Sequence, residues 1–300
     1  MENVGLLLRD VSNLEGKVIA RAGTRLTPEF MQEVASSGPK KKERVPLLKD
    51  RAMLSDLQRT FSEEVYQPVF GSTPAAEKTV EAMSGINVNP AIVKGLFKFK
   101  ETDFYTYRHC LIVAALATLI SPGLPSIYQR SEEAPRVAPG HDIGKLMGPL
   151  EVFQKSEALT KKEQALIRSH TDAGFVILTY YAGFESPTCC QVAYEHHERH
   201  DGSGYPRGIR LDDELVQLVA VCDTFDALVS SRPYRDAPFD RRAAIDVLCE
   251  GAEKGKFDWA PVKLLIGHCR KEKAPLDKIV PSTKKRGKVP GRNLYGVTAN

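Results

Sequence analysis

A chain of 300 residues, 42% of them hydrophobic, can bury one large core and a small accessory domain. Its formal charge of +4 is mild, and the dense basic runs at 40–44 and 284–288 carry no interleaved aromatic residues, which argues against a groove for a nucleic-acid polymer. The longest apolar runs, such as 111–120, are too short to cross a bilayer, the first ten residues lack a signal-peptide pattern and the six cysteines show no CxxC spacing, so the expectation is a cytoplasmic protein with no membrane span, disulfide framework or cysteine zinc site.

Residues 1–48 read as a small α+β module. Apolar segments at 4–8 and 17–22 flank the polar turn 13–16 as two strands, and Thr27-Pro28 supplies an N-cap and a first-turn proline for a helix ending near 36–38. A unit of about 40 residues needs docking to be stable. Residues 49–89 show helical spacing broken at Pro68 and at 71–74, and are read as connecting helices. From 90 to 275 apolar-periodic segments dominate, at 92–99, 105–120, 160–180, 191–197, 213–229 and 241–253, so the fold is expected to be mainly α. Trp259 and Phe257 are read as core. Pro122, Gly123, Pro125, Pro135, Pro139 and Gly140 must interrupt the helix between 109 and 141. The final stretch, 276–300, rich in Lys, Arg, Gly and Pro, is expected to be mobile unless it docks on a partner.

Five of the seven histidines form an ordered set with two aspartates: His109, His141-Asp142, His170, His196-His197 and Asp223. Imidazoles and carboxylates are ligands for divalent iron, manganese, nickel or zinc, and these groups are too many for one ion. A two-metal site acidifies water and clamps a phosphoryl oxygen, so the residues point to a phosphodiester hydrolase with Asp142 as the bridge. Lys145, one helical turn beyond Asp142, is placed to stabilise phosphate charge. Arg232 and Arg235 offer guanidinium groups for phosphate or guanine edges. Asp226, three residues past Asp223, is suited equally to orient a ligand from behind or to cap a local network. His200 and His268 fall outside the pattern.

The strings HDIGK (141–145), SHTDAG (169–174), HHERHDGSGYP (196–206) and CDTFDALVSSRPYR (222–235) resemble the HD-GYP family of cyclic di-GMP phosphodiesterases over roughly residues 90–270. The resemblance implies a helical HD-type metallohydrolase domain at 90–275. It also implies His109, His141, Asp142 and Asp223 around one metal and Asp142, His170, His196 and His197 around the other. The expected cofactors are two divalent ions, iron or manganese ahead of nickel or zinc. The expected reaction opens cyclic di-GMP to pGpG by a metal-bridging hydroxide, with pGpG or GMP left open as the end product. Tyr205, in the GYP loop, is expected either to contact substrate or to support the loop, which, with the N-terminal module, is a candidate surface for a signalling partner. Tyr105 stands where some members carry a carboxylate for a third metal, which favours two. The proline-rich approach to His141 keeps open a second expectation, a slow or inactive cyclic di-GMP sensor.

Overall fold

The computed structural model describes residues 5–40, 43–71, 73–183, 186–270, 276–282, 284–294 and 297–299. The N-terminal hairpin is β1 (Val11–Ser12) and β2 (Val18–Ala20), antiparallel with Val11 opposite Ala20. This corrects the placement of the first strand at 4–8. The Oδ1 of Asn13 accepts from Glu15 N (3.1 Å) and Lys17 N (2.8 Å), so the turn closes tightly and the residues directly beside it pair. Leu6 instead makes an isolated bridge with Arg25, and Val4 lies outside the described residues. Helix α1 (Pro28–Ser37) is capped by Thr27, whose side chain accepts from Phe30 N at 3.3 Å.

The module is docked. Leu14 N donates to Tyr181 Oη (2.9 Å), Lys98 Nζ to Leu14 O (2.8 Å) and Lys94 to Glu15 (2.5 Å), while Leu7, Val11, Leu14, Met31 and Val34 are buried in the common core. After β3 (Val45–Pro46) come α2 (Arg51–Phe61), α3 (Gln67–Phe70) and α4 (Thr73–Ser84). Strand β4 (Asn87–Val88), paired with β3, leads into α5 (Pro90–Thr102).

Helix α6 (Phe104–Ile120) is the axis of the fold. It is apolar on nearly every face, and α2, α4, α5 and α12 (Glu214–Val229) pack around it. The stretch Phe104–Gly123 is long and apolar enough to cross a membrane, beyond what the run at 111–120 suggests, yet 78% of its apolar window is buried inside the protein, as a core helix requires.

Between 121 and 140 the prolines produce a chain of 3-10 turns around the short α7 (Ala134–Val137). A further 3-10 turn, Ile143–Met147, follows the His-Asp pair and packs on α10 (His170–Ala182). Contact there requires Gly144: a Cβ at this position would lie 1.9 Å from the carbonyl oxygen of His170. Next come α8 (Leu150–Phe153) and α9 (Lys161–Arg168), the latter closed by a Thr160–Glu163 capping box. The segment expected as one helix over 160–180 is thus two, α9 and α10, meeting at Ser169. The core is completed by α11 (Pro187–Glu195), α13 (Arg241–Glu253) and α14 (Trp259–Cys269). In the basic tail, Arg286, Gly287 and Lys288 lie along the start of α13 through main-chain bonds to Asp246 and Asp240.

Candidate metal centre

Four helices and one turn deliver the candidate ligands to a single buried point: α6 brings His109, the turn after α7 brings His141 and Asp142, α10 opens with His170, α11 ends at His196-His197, and α12 carries Asp223. The proline-rich approach does not displace His141, whose Nε2 lies 3.3 Å from Nε2 of His109.

The Nδ1–H groups of His141, His170 and His196 donate to the carbonyls of Ala138 (2.8 Å), Ile167 (2.6 Å) and Val192 (2.9 Å). A carbonyl only accepts, so the proton sits on Nδ1 and the Nε2 lone pair is left for an ion. His109 does the same with a carboxylate, its Nδ1 lying 2.5 Å from Oδ2 of Asp226. Burial pushes His170 down to about 4 and holds His196 and His197 well below the ordinary imidazole range, which keeps all three neutral near pH 7. Burial opposes the charged form of His109 too, but Asp223 and Asp226 outweigh it and raise its pKa.

Two nitrogen-rich groups result, His109–His141–Asp223 and His170–His196–His197, each with its ligand atoms within 4.8 Å of one another. Asp142 stands between them. Its Oδ2 is 3.6 Å from His109 Nε2 and 3.4 Å from His141 Nε2, whereas its Oδ1 is 3.3 Å from His170 Nε2 and 3.8 Å from His196 Nε2. Burial works against an ionised Asp142, yet Lys145, His141 and His170 hold its pKa well below the usual carboxylate range. Oδ1 is sealed from solvent without a hydrogen-bond donor. An anionic oxygen left so is costly unless a cation faces it, and the donor set therefore fits divalent metal. Asp223 straddles the groups in the same way, with Oδ1 3.1 Å from His109 Nε2 and Oδ2 3.8 Å from His197 Nδ1. Cys110 also lies within reach of His141 and Asp142, but burial raises its thiol pKa well above normal, which makes it a poor ligand.

Behind His109, Asp226 accepts from the hydroxyl of Tyr66 and from Ser230 Oγ (3.2 Å), and Arg108 lies 3.8 Å away. Residues 49–89 thus contribute directly to the site through Tyr66. Nothing local in the sequence marks that tyrosine.

A cavity of about 400 Å³ opens beside the ligands, lined by Asp103, Tyr105, Lys145, Phe153, Gln154 and Arg232 among others. Lys145 Nζ bonds to Asp142 Oδ2. The Arg232 guanidinium lies 3.8 Å from the centroid of the Tyr105 ring, which in turn stacks on His109 at 5.8 Å. Arg235 is not brought to this cavity: its guanidinium bonds the carbonyls of Leu228 (2.9 Å) and Ala227, closing the end of α12. Tyr205 stacks on His197 (4.6 Å) rather than lining the cavity. Its loop is organised by Glu198, a residue the sequence reading missed, whose carboxylate accepts from Arg207 N (2.7 Å), Gly208 N (3.2 Å) and Ile209 N (3.2 Å). His200 bonds Leu211 O, away from the ligands.

A helical bundle with histidines and carboxylates converging on its interior defines an HD domain, and the HD domain family model matches residues 112–260. Such domains bind divalent metal. Similar proteins include a cyclic di-GMP phosphodiesterase of Thermotoga maritima, 38% identical over 136 residues that cover 45% of this chain and 37% of that one. The cyclic di-GMP phosphodiesterase response regulator RpfG of Xanthomonas campestris is 41% identical over 115 residues, 36% of this chain and 30% of its own. A 3'3'-cGAMP-specific phosphodiesterase of Vibrio cholerae is 31% identical over 172 residues, 56% of this chain and 32% of its own. The chain spans about a third of the length of these relatives. It belongs to the HD-GYP family of HD-domain proteins.

Proposed function

We propose that this protein is a metal-dependent phosphodiesterase that hydrolyses cyclic di-GMP to pGpG, with two divalent ions, iron or manganese ahead of nickel or zinc. The observation that carries the proposal is the straddle of Asp142, whose two oxygens face opposite histidine groups while one has no donor. His109, His141, Asp142 and Asp223 would hold one ion, and Asp142, His170, His196 and His197 the other. When bound, such ions polarise phosphoryl oxygens and acidify water.

The remaining work falls to side chains of the chain itself. Lys145, held by Asp142 at the cavity wall, places an ammonium where phosphate charge grows. Arg232, kept flat by Tyr105, presents paired N–H donors to a phosphate. Asp226 holds the His109 proton on Nδ1, and Tyr205 steadies the ring of His197. A cytoplasmic setting suits the six free cysteines. The GYP loop and the N-terminal module are proposed as the surface for a signalling partner.

The competing reading is a protein that binds cyclic di-GMP without turning it over. The names of the Vibrio relatives make 3'3'-cGAMP the competing substrate. Both are separated by one assay: protein purified without oxygen, loaded separately with iron and manganese, is given each dinucleotide and the products are followed by chromatography. pGpG from cyclic di-GMP at the higher kcat/KM supports the proposal. Tight binding with no turnover under either metal would replace it with the sensor, and preference for 3'3'-cGAMP would change the substrate.

A further inference from the structure

Described residues of the basic tail make specific main-chain and side-chain bonds to the body of the protein. Arg286 N and Gly287 N donate to Asp246 Oδ2 at 2.9 and 3.2 Å, Lys285 Nζ pairs with Glu250 at 2.6 Å, and Lys288 N donates to Asp240 Oδ2 at 2.7 Å. Gly287 is pressed so closely on the start of α13 that a Cβ would lie 2.0 Å from Ala243 N. Carboxylates on and before α13 thus receive this part of the tail, Asp246 and Asp240 through main-chain amides and Glu250 through the Lys285 ammonium.

Beyond this anchor, described residues of the tail bond to the segment after Arg232 and to Leu159. Arg292 N donates to Asp236 Oδ2 (3.2 Å), Asp236 N to Arg292 O (3.3 Å), Asn293 bridges Arg235, and Leu294 N donates to Tyr234 O (3.1 Å). Thr298 then bridges Leu159, and Ala299 N donates to Leu159 O at 2.8 Å. The segment 234–236 directly follows Arg232 and Pro233, which line the cavity. Leu159 follows Phe153 and Gln154, which also line the cavity, by six residues or fewer along the chain.

We propose that the C-terminal segment is a positioning element of the candidate active site, a strap that ties the wall carrying Arg232 to the wall carrying Phe153 and Gln154 and so fixes where Arg232 meets the substrate. A main-chain tie on both walls restrains them without filling the cavity, since no tail residue lines it among the described residues. The strap therefore acts on substrate binding and not on the metal ligands, which sit on α6, α10, α11, α12 and the turn at 141–142. The assignment of the cavity to the substrate rests on the function proposed above.

The test is a chain ending at Pro290, which keeps the anchor on α13 and removes the tie, together with full-length Asp236→Ala, which frees Arg292 without shortening the chain. Amide exchange at 231–236 and at 155–160 should quicken by about tenfold in the shortened chain, which reads the tie without any substrate. For cyclic di-GMP, KM should rise about tenfold with kcat within about threefold and with metal content unchanged, and Asp236→Ala should shift KM in the same direction by less. Unchanged exchange at both walls overturns the proposal, as does quickened exchange with an unchanged KM. So does a fall in metal content equal to the loss of activity, because the strap would then serve the fold as a whole. Full-length protein that neither binds nor hydrolyses cyclic di-GMP overturns the function, while the exchange measurement still decides the tie.

Discussion

Nδ1 of His109 lies 2.5 Å from Oδ2 of Asp226, a carboxylate that is itself fully buried. Tyr66, Ser230 and Arg108 hold that carboxylate in turn. Such outer partners fix tautomer and orientation, and their loss costs about 10- to 100-fold in metal affinity. Asp226→Ala should therefore lose metal to a graded chelator at about 10- to 100-fold lower chelator strength than the parent, read by elemental analysis after dialysis.

Lys145 contacts Asp142 but is not a candidate ligand. Its removal takes away a positive charge at the cavity wall and leaves the histidine groups intact. Lys145→Ala should lower kcat by about 100- to 1000-fold, the cost typical of a lost charge-stabilising donor, while metal content per chain stays that of the parent. Loss of metal in this variant would reassign Lys145 to holding Asp142.

Arg232 and Tyr105 act as a pair. Lysine keeps the charge but neither the planar fork nor the stacking, so Arg232→Lys should raise KM about tenfold or more with a smaller effect on kcat. Tyr105→Leu should do the same, Tyr105→Phe should retain parental KM, and combining Tyr105→Leu with Arg232→Lys should add little, because each single change already breaks the stack.

Gly144 tests how the His-Asp turn is seated. With a Cβ 1.9 Å from the carbonyl oxygen of His170, Gly144→Ala must push the turn away from α10. The substitution should destabilise the metal-free protein by about 1–3 kcal/mol, seen as a lower denaturant midpoint with unchanged slope.

The candidate ligands were legible in the sequence because each sits in its own local string, and the helices that carry them follow apolar periodicity. Residues 241–253 are a helix in sequence and structure alike. What was not legible depends on distant partners. Tyr66 meets Asp226 across 160 positions, so nothing in its neighbourhood announces it. Arg235 differs from Arg232 only in reaching the open carbonyls at the end of α12, a matter of backbone direction that composition does not carry. Helix α14 was missed although Asp258 caps it through Ala260 N, because Trp259 and Phe257 were read only for burial. The carboxylates that receive the main chain of the tail lie on α13 and the segment before it, dozens of residues earlier, so the tail's own lysines and glycines do not announce those contacts.

The central claim is that Asp142 joins two metal positions, and the most direct measurement is metal stoichiometry in Asp142→Ala, by elemental analysis of anaerobically loaded protein, alongside cyclic di-GMP hydrolysis. The account predicts that the variant loses most of its metal and all of its diesterase activity while the parent holds two ions and forms pGpG. Full metal occupancy in Asp142→Ala would contradict it.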